Sequence, residues 1–156
     1  MQPDGATPNL VFDRVSTTGL DEVAKVLLSQ MGARRVCVLQ GEMGSGKTTL
    51  VKAFGKALEV VDTMASPTFS LVNEYITASG ERVYHFDLYR LKSANEVFDI
   101  GAEEYLYSGQ YCFVEWPEKI LTLLPEEYAE VRISVEDEHH RTIEFLLHGR
   151  KEEERV

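Results

Sequence analysis

The 156-residue sequence predicts a single α/β domain carrying antiparallel hairpin additions. Three observations lead there. The run Arg35-Val36-Cys37-Val38-Leu39-Gln40 is apolar on both faces, as a strand inside a parallel sheet must be. A glycine-rich loop follows it directly, and helical periodicity resumes from Thr48 to Leu58. Two later pairs of strand-like segments are separated by short polar turns.

The elements follow in order. Residues 1–9 read as an N-terminal arm, 10–148 as the domain and 149–156 as a charged tail. Leu10 to Val15 has strand composition. Thr18 is expected to cap a helix whose apolar positions Leu20, Val23, Ala24, Leu27, Leu28 and Met31 recur at helical spacing. Glu59 to Pro67 reads as a loop. Phe69 to Ile76 and Arg82 to Phe86 read as strands paired across a turn at Ala78-Ser79-Gly80-Glu81. Ser93 and Glu96 form a capping-box signature for a helix through Val97 and Phe98 that breaks at Gly101. Gln110 to Val114 is a further apolar run. Val131 to Val135 and Thr142 to Leu147 are expected to pair around a polar loop, Glu136 to Arg141.

Composition narrows the function. Lys and Arg number 16 against 26 Asp and Glu, a net charge of −10, which disfavours tight autonomous binding to nucleic acid phosphates. The deficit is regional: residues 1–60 carry 7 basic and 6 acidic side chains, residues 61–149 carry 6 and 17. Cys37 and Cys112 lie in apolar runs and read as buried structural thiols, suited to a reducing cytoplasm. No signal peptide is expected, and no apolar stretch approaches the ~20 residues of a membrane helix.

Gly41-Glu42-Met43-Gly44-Ser45-Gly46-Lys47-Thr48 satisfies the pattern G-x-x-x-x-G-K-[ST] between a strand and a helix. Glycines let backbone amides turn toward a phosphate, and the next helix aims its N-terminus at the same charge. The expected nucleotide-binding set is Glu42, Met43, Gly44, Ser45, Gly46, Lys47, Thr48 and Thr49. Lys47 is expected on the β and γ phosphates and the Thr48 hydroxyl on Mg²⁺. Two acids end strands: Asp87 is assigned to Mg²⁺, and Glu115 to the metal shell or to positioning the attacking water. Thr68, in Ser66-Pro67-Thr68-Phe69, lies where switch proteins supply a hydroxyl to the γ-phosphate and metal. Trp116, the sole tryptophan, is a candidate for base stacking, a partner surface or simple packing. The guanine-reading Asn-Lys-x-Asp element is absent, so ATP is favoured over GTP. His139 and His140 read as a solvated turn, His85 as a packed or hydrogen-bonded histidine and His148 as a surface residue.

GEMGSGKTT (41–49), SPTFSLV (66–72), YHFDLYRL (84–91) and VEWP (114–117), in that order, resemble the bacterial TsaE (YjeE) family over roughly residues 10 to 147. The resemblance implies a mixed, mostly parallel sheet flanked by helices. It implies Mg-ATP hydrolysis that is weak alone and dependent on the TsaD and TsaB proteins, which threonylcarbamoylate adenosine 37 of tRNAs reading codons that begin with A. The ATP cycle would reset that complex. It makes Thr68 a switch residue and Asp87 the metal-site acid. Glu115 and Trp116 become functional residues near the nucleotide, and Arg90 a nucleotide-site or partner contact. The free protein is expected as a monomer or weak oligomer, with tRNA met mainly through its partners. Two other readings stay open: a small-molecule kinase, disfavoured because the basic residues after residue 60 do not cluster into a lid, and a nucleotide-loaded adaptor without useful turnover.

Overall fold

The structure, a computed structural model, describes residues 7–61, 71–91 and 94–149. The expectations for Ser66 to Ser70, for the Ser93 cap, for most of the loop before Pro67 and for the ends of the chain lie outside the described residues. The strands are β1 (Leu10–Val15), β2 (Val36–Gln40), β3 (Val72–Ile76), β4 (Arg82–Asp87), β5 (Tyr111–Glu115), β6 (Tyr128–Asp137) and β7 (His140–His148). The helices are α1 (Leu20–Met31), α2 (Lys47–Ala57), α3 (Ala94–Asp99) and α4 (Ala102–Leu106).

One seven-stranded sheet has the order β1-β7-β6-β2-β5-β4-β3. Its three central pairings, β6 with β2, β2 with β5 and β5 with β4, are parallel, and the outer three are antiparallel. Five strands therefore point one way, with β3 and β7 opposed. This is the expected mixed, mostly parallel α/β sheet.

Alternation along the central strands builds two cores. Cys37 and Leu39 of β2, Phe113 of β5 and Val83 of β4 face α1 and α2. Val36, Val38, Cys112, Val114 and Phe86 face the opposite layer, where Ala102 and Leu106 of α4 cover them. A 12-residue helix such as α1 is marginal alone. Its buried stripe, Val23, Ala24, Leu27 and Met31, stabilises it at about 1.5–3 kcal/mol for each large side chain. On α2, Phe54 stacks on Phe113 with centroids 4.6 Å apart and the rings 12° from parallel. Both thiols are buried, and burial pushes Cys112 up to about 12.

Three local expectations need correction. Thr18 does not cap α1: Thr17 to Gly19 form a 3₁₀ turn, Gly19 holds the cap position, and the Thr18 hydroxyl bonds Ser16 Oγ at 3.0 Å. Asp21 and Glu22 in the first turn offset the helix dipole instead. The polar loop 136–141 is mostly strand, because pairing continues through Val135↔Arg141 and Asp137↔His140 and leaves only Glu138 and His139 between β6 and β7. His148 is not a plain surface residue; it stacks on Tyr128 at 4.6 Å and its Nε2 lies 2.7 Å from Glu130 Oε1. After β5, Pro117 to Leu123 form a 3₁₀ helix that the apolar pattern does not announce, with Pro117 fitting its first turn because that position needs no amide donor. The expected break at Gly101 is present, where a left-handed backbone (φ 71°) separates α3 from α4.

The topology matters for the site in one respect. β2, β5 and β4 are adjacent and parallel, so their carboxyl ends open on one edge of the sheet, where ligands of α/β proteins bind. No helix among the described residues is long and apolar enough to cross a membrane.

Candidate functional site

The glycine loop leaves β2 at Gly41 and enters α2 at Lys47. Gly41 is required by contact: a Cβ there would lie 2.6 Å from Ser45 Oγ and 2.9 Å from the Ile133 carbonyl. Gly44 and Gly46 have φ of 81° and 110°, a backbone that L side chains rarely adopt. The Ser45 amide donates to the Glu42 carbonyl at 3.0 Å, and the first α2 bond, Leu50 N–H to Gly46 C=O, is 2.9 Å.

Across from the loop stand the two strand-end acids. Asp87 and Glu115 are register partners on β4 and β5. Glu115 is 3% exposed, and its Oε2 accepts from Thr48 Oγ1 at 2.7 Å. The same oxygen lies 2.6 Å from Nε2 of His85. Asp87 Oδ1 accepts the Tyr89 amide at 3.2 Å. Burial holds the Asp87 carboxyl above its ordinary range, and Glu115 adds to that, while the Tyr89 amide, His85 and Arg90 pull the other way.

Lys47 folds back on the loop. Its Nζ donates to the Gly41 carbonyl at 2.5 Å and the Glu42 carbonyl at 3.1 Å, and sits 3.9 Å from the Trp116 ring centroid. Burial pushes the ammonium below its ordinary range, opposed by Glu115, Asp87 and Glu118. Trp116 has φ 58°, a strained value for a bulky residue, of the kind that clusters at ligand sites. Its ring meets Tyr89 at 4.9 Å.

These groups enclose a cleft of about 350 Å³, with Met43, Gly44, Gly46, Lys47, Thr48 and Thr49 on one wall and Asp87, Tyr89, Glu115 and Trp116 on the other. A second cleft of about 170 Å³ shares Gly44, Gly46 and Thr49 with it and runs between the β1–α1 junction and the β6–β7 turn. Val15, Leu20, Ile133 and Ile143 give it apolar walls, and Arg141 a charged one.

The structure thus brings together Met43, Gly44, Gly46, Lys47, Thr48, Thr49, Asp87, Glu115 and Trp116. One expected residue stands apart: Glu42 offers its backbone carbonyl to Lys47. Ser45 lines the second cleft, its hydroxyl buried without a hydrogen-bond partner among the described residues and close to Gly41. Thr68 lies outside the described residues. Arg90 is exposed, and its charge is among those felt by Asp87.

Three contributors were not assigned to the site from the sequence, although His85 is buried and hydrogen-bonded as expected. His85 could have been found by strand alternation, since it shares a face with Asp87 two positions on. Tyr89 sits in the motif already singled out. Arg141, whose Nε donates to the Ser45 carbonyl at 2.8 Å, carries no local signal, because β7 register alone brings it there.

Among the described residues no three His, Cys, Asp or Glu side chains form a metal cage. The oxygen donors lining the cleft include the Thr48 hydroxyl and the Asp87 and Glu115 carboxylates. That set fits Mg²⁺, a hard cation commonly held by one or two carboxylates together with phosphates and water.

A glycine loop closing a parallel strand onto a helix, faced by two acids from the neighbouring strands, defines a P-loop protein. The family model for "Threonylcarbamoyl adenosine biosynthesis protein TsaE" matches residues 15–143, and the chain belongs to that family. A tRNA threonylcarbamoyladenosine biosynthesis protein TsaE of Bacillus subtilis is 33% identical over 131 residues, covering 84% of this chain and 81% of that protein. Its Haemophilus influenzae counterpart is 37% identical over 124 residues, covering 79% and 77%. The crystal structure of Bacillus subtilis YdiB superposes with a TM-score of 0.68 at 27% identity, covering 97% of this chain and 93% of that one.

Proposed function

We propose that this protein is a Mg²⁺-dependent ATPase whose turnover supports the TsaD–TsaB complex in threonylcarbamoylation of tRNA adenosine 37. The observation that carries the reading is the Thr48–Glu115 bond at 2.7 Å, set beside Asp87 at the mouth of the P-loop. That bond ties the hydroxyl at the start of α2 to the acid at the end of β5.

The roles follow from position. The glycine loop and the α2 N-terminus receive the phosphates, and Lys47 exchanges its carbonyl partners for phosphate oxygens. Thr48 and Asp87 hold Mg²⁺, which when bound neutralises charge on the β and γ phosphates. Glu115, at the end of β5, belongs to the metal shell or orients the attacking water. Thr68 is assigned as a switch hydroxyl. The second cleft, walled by Val15, Leu20, Ile133 and Ile143 and bordered by Arg141, takes the nucleoside end, and the missing guanine-reading motif favours adenine there. Trp116 and Tyr89 line the phosphate end.

The test is a reconstitution with TsaD, TsaB, tRNA and ATP that counts modified tRNA per complex. Many turnovers only with this protein and hydrolysable ATP are expected. Full support by a non-hydrolysable analogue would make it an adaptor instead, and phosphorylation of a metabolite without partners would make it a kinase.

A further inference from the structure

We propose that His85 is a positioning residue for the phosphate site: by holding Oε2 of Glu115 it sets the direction of the Thr48 hydroxyl. The inference rests on the ATPase reading above for its consequence, but its geometry stands without that reading.

His85 occupies the middle of β4, between Val83 and Asp87 on one face, opposite Phe113 on β5. It is 1% exposed, beside a Glu115 that is itself 3% exposed. Its Nε2 lies 2.6 Å from Glu115 Oε2, and its Nδ1 is buried with no hydrogen-bond partner among the described residues. An imidazole left with an orphaned buried nitrogen costs stability, so its place there is not explained by packing. A carboxylate can only accept, so this geometry needs a proton on Nε2.

The consequence runs through one shared oxygen. Oε2 of Glu115 accepts from both His85 and Thr48, at 2.6 and 2.7 Å. With His85 in place, the Glu115 carboxylate is held at the β4–β5 seam and turned toward α2. The Thr48 hydrogen then points at Glu115 and the hydroxyl lone pairs face the cleft. Without that donor, Glu115 is left to the charge of nearby Lys47, and Thr48 loses a fixed position for the acceptor of its hydroxyl hydrogen. His85 touches neither cleft, so it acts through Glu115 rather than on a ligand.

The test compares His85→Ala, His85→Asn and His85→Gln in the full-length chain. The Gln amide nitrogen reaches the place of Nε2, whereas that of Asn falls near Nδ1. Expected are at least tenfold losses of TsaD–TsaB-stimulated turnover for Ala and Asn, ATP affinity within about threefold of wild type, and recovery to within about threefold for Gln. Equal turnover in all three variants, or equal loss in all three, would overturn the proposal. Should the variants fail to fold, the wild type still decides it. Without nucleotide or metal, ring-nitrogen NMR is expected to place the proton on Nε2 and to shift that signal in Glu115→Gln and Thr48→Val. A proton on Nδ1, or a signal indifferent to both changes, would refute it. A wild type that hydrolyses no ATP with its partners while showing these couplings would count against the ATPase reading and leave the His85 assignment standing.

Discussion

Lys47 Nζ sits over the Trp116 indole, 3.9 Å from the ring centroid, while donating to the Gly41 and Glu42 carbonyls. A lysine that must reach phosphate has to leave all three contacts. The cation–π contact is worth about 0.5–2 kcal/mol, small beside the charge-assisted bonds a phosphate offers. Trp116 is the only tryptophan, so Mg-ATP is expected to change the intrinsic emission. In Lys47→Met the resting spectrum differs and the ATP-dependent change is lost. An unchanged titration in that variant would show that Trp116 responds to something other than Lys47.

Lys47→Ala and Asp87→Ala are expected to lower partner-stimulated ATP turnover by about 10²-fold or more, the scale for losing one electrostatic contact to a transition state. Asp87→Ala also relieves a carboxyl that burial destabilises, so its melting temperature is expected to match or exceed the wild type. Turnover that survives both substitutions would place the chemistry elsewhere.

Gly41→Ala drives a methyl to within 2.6 Å of Ser45 Oγ and 2.9 Å of the Ile133 carbonyl. A loss of about 1–3 kcal/mol in denaturant unfolding is expected, together with weaker ATP binding. Adding Ser45→Ala removes the first clash and leaves the second, which is backbone. The double variant is therefore expected to recover only in part; complete recovery would mean the Ile133 strand yields.

Arg141→Gln removes the guanidinium that ties β7 to the Ser45 carbonyl and walls the second cleft. ATP affinity is expected to fall several-fold, with inorganic triphosphate affected less. Equal loss for both ligands would assign Arg141 to the loop alone.

Glu130, 2% exposed on β6, accepts from Arg132 at 3.0 Å and pairs with His148 at 2.7 Å. Burial by itself raises its carboxyl, but the bonds from His148 and Arg132 together outweigh that and hold it below the ordinary range. A group whose folded value is depressed contributes stability above its unfolded value and loses it as pH falls through the folded one. Glu130→Gln is expected to cost about 1–3 kcal/mol at neutral pH and to flatten the fall in melting temperature below about pH 4.5. Parallel wild-type and variant curves there would remove Glu130 from the acid response.

What could be read along the chain is local. Glycines at 41, 44 and 46 before Lys47 and Thr48 specify a loop because φ and Cβ clashes act within a few residues. The doubly apolar β2, the α1 stripe and the Gly101 break follow from periodicity for the same reason. Asp87 and Glu115 were found as strand ends, and each ends its strand. The misread pieces are those where a distant partner decides: residues 136–141 become strand because β6 and β7 register carries pairing into them, and His148 is covered because that register lays it against Glu130.

The amino-acid order alone therefore settles that this is a P-loop α/β chain with two strand-end acids, since backbone sterics and side-chain period are short-range and legible. Sheet order settles the site. Thr48 meets Glu115 across 67 positions because β2 and β5 pair in parallel, and Arg141 reaches Ser45 across 96 because β7 pairs antiparallel with β6, the parallel neighbour of β2. His85 shows the division within a single residue. Its burial on a strand was legible, whereas its bond to Glu115, 30 positions on, exists only because β4 and β5 pair in one register, and a shift by one residue would turn its side chain to the other core.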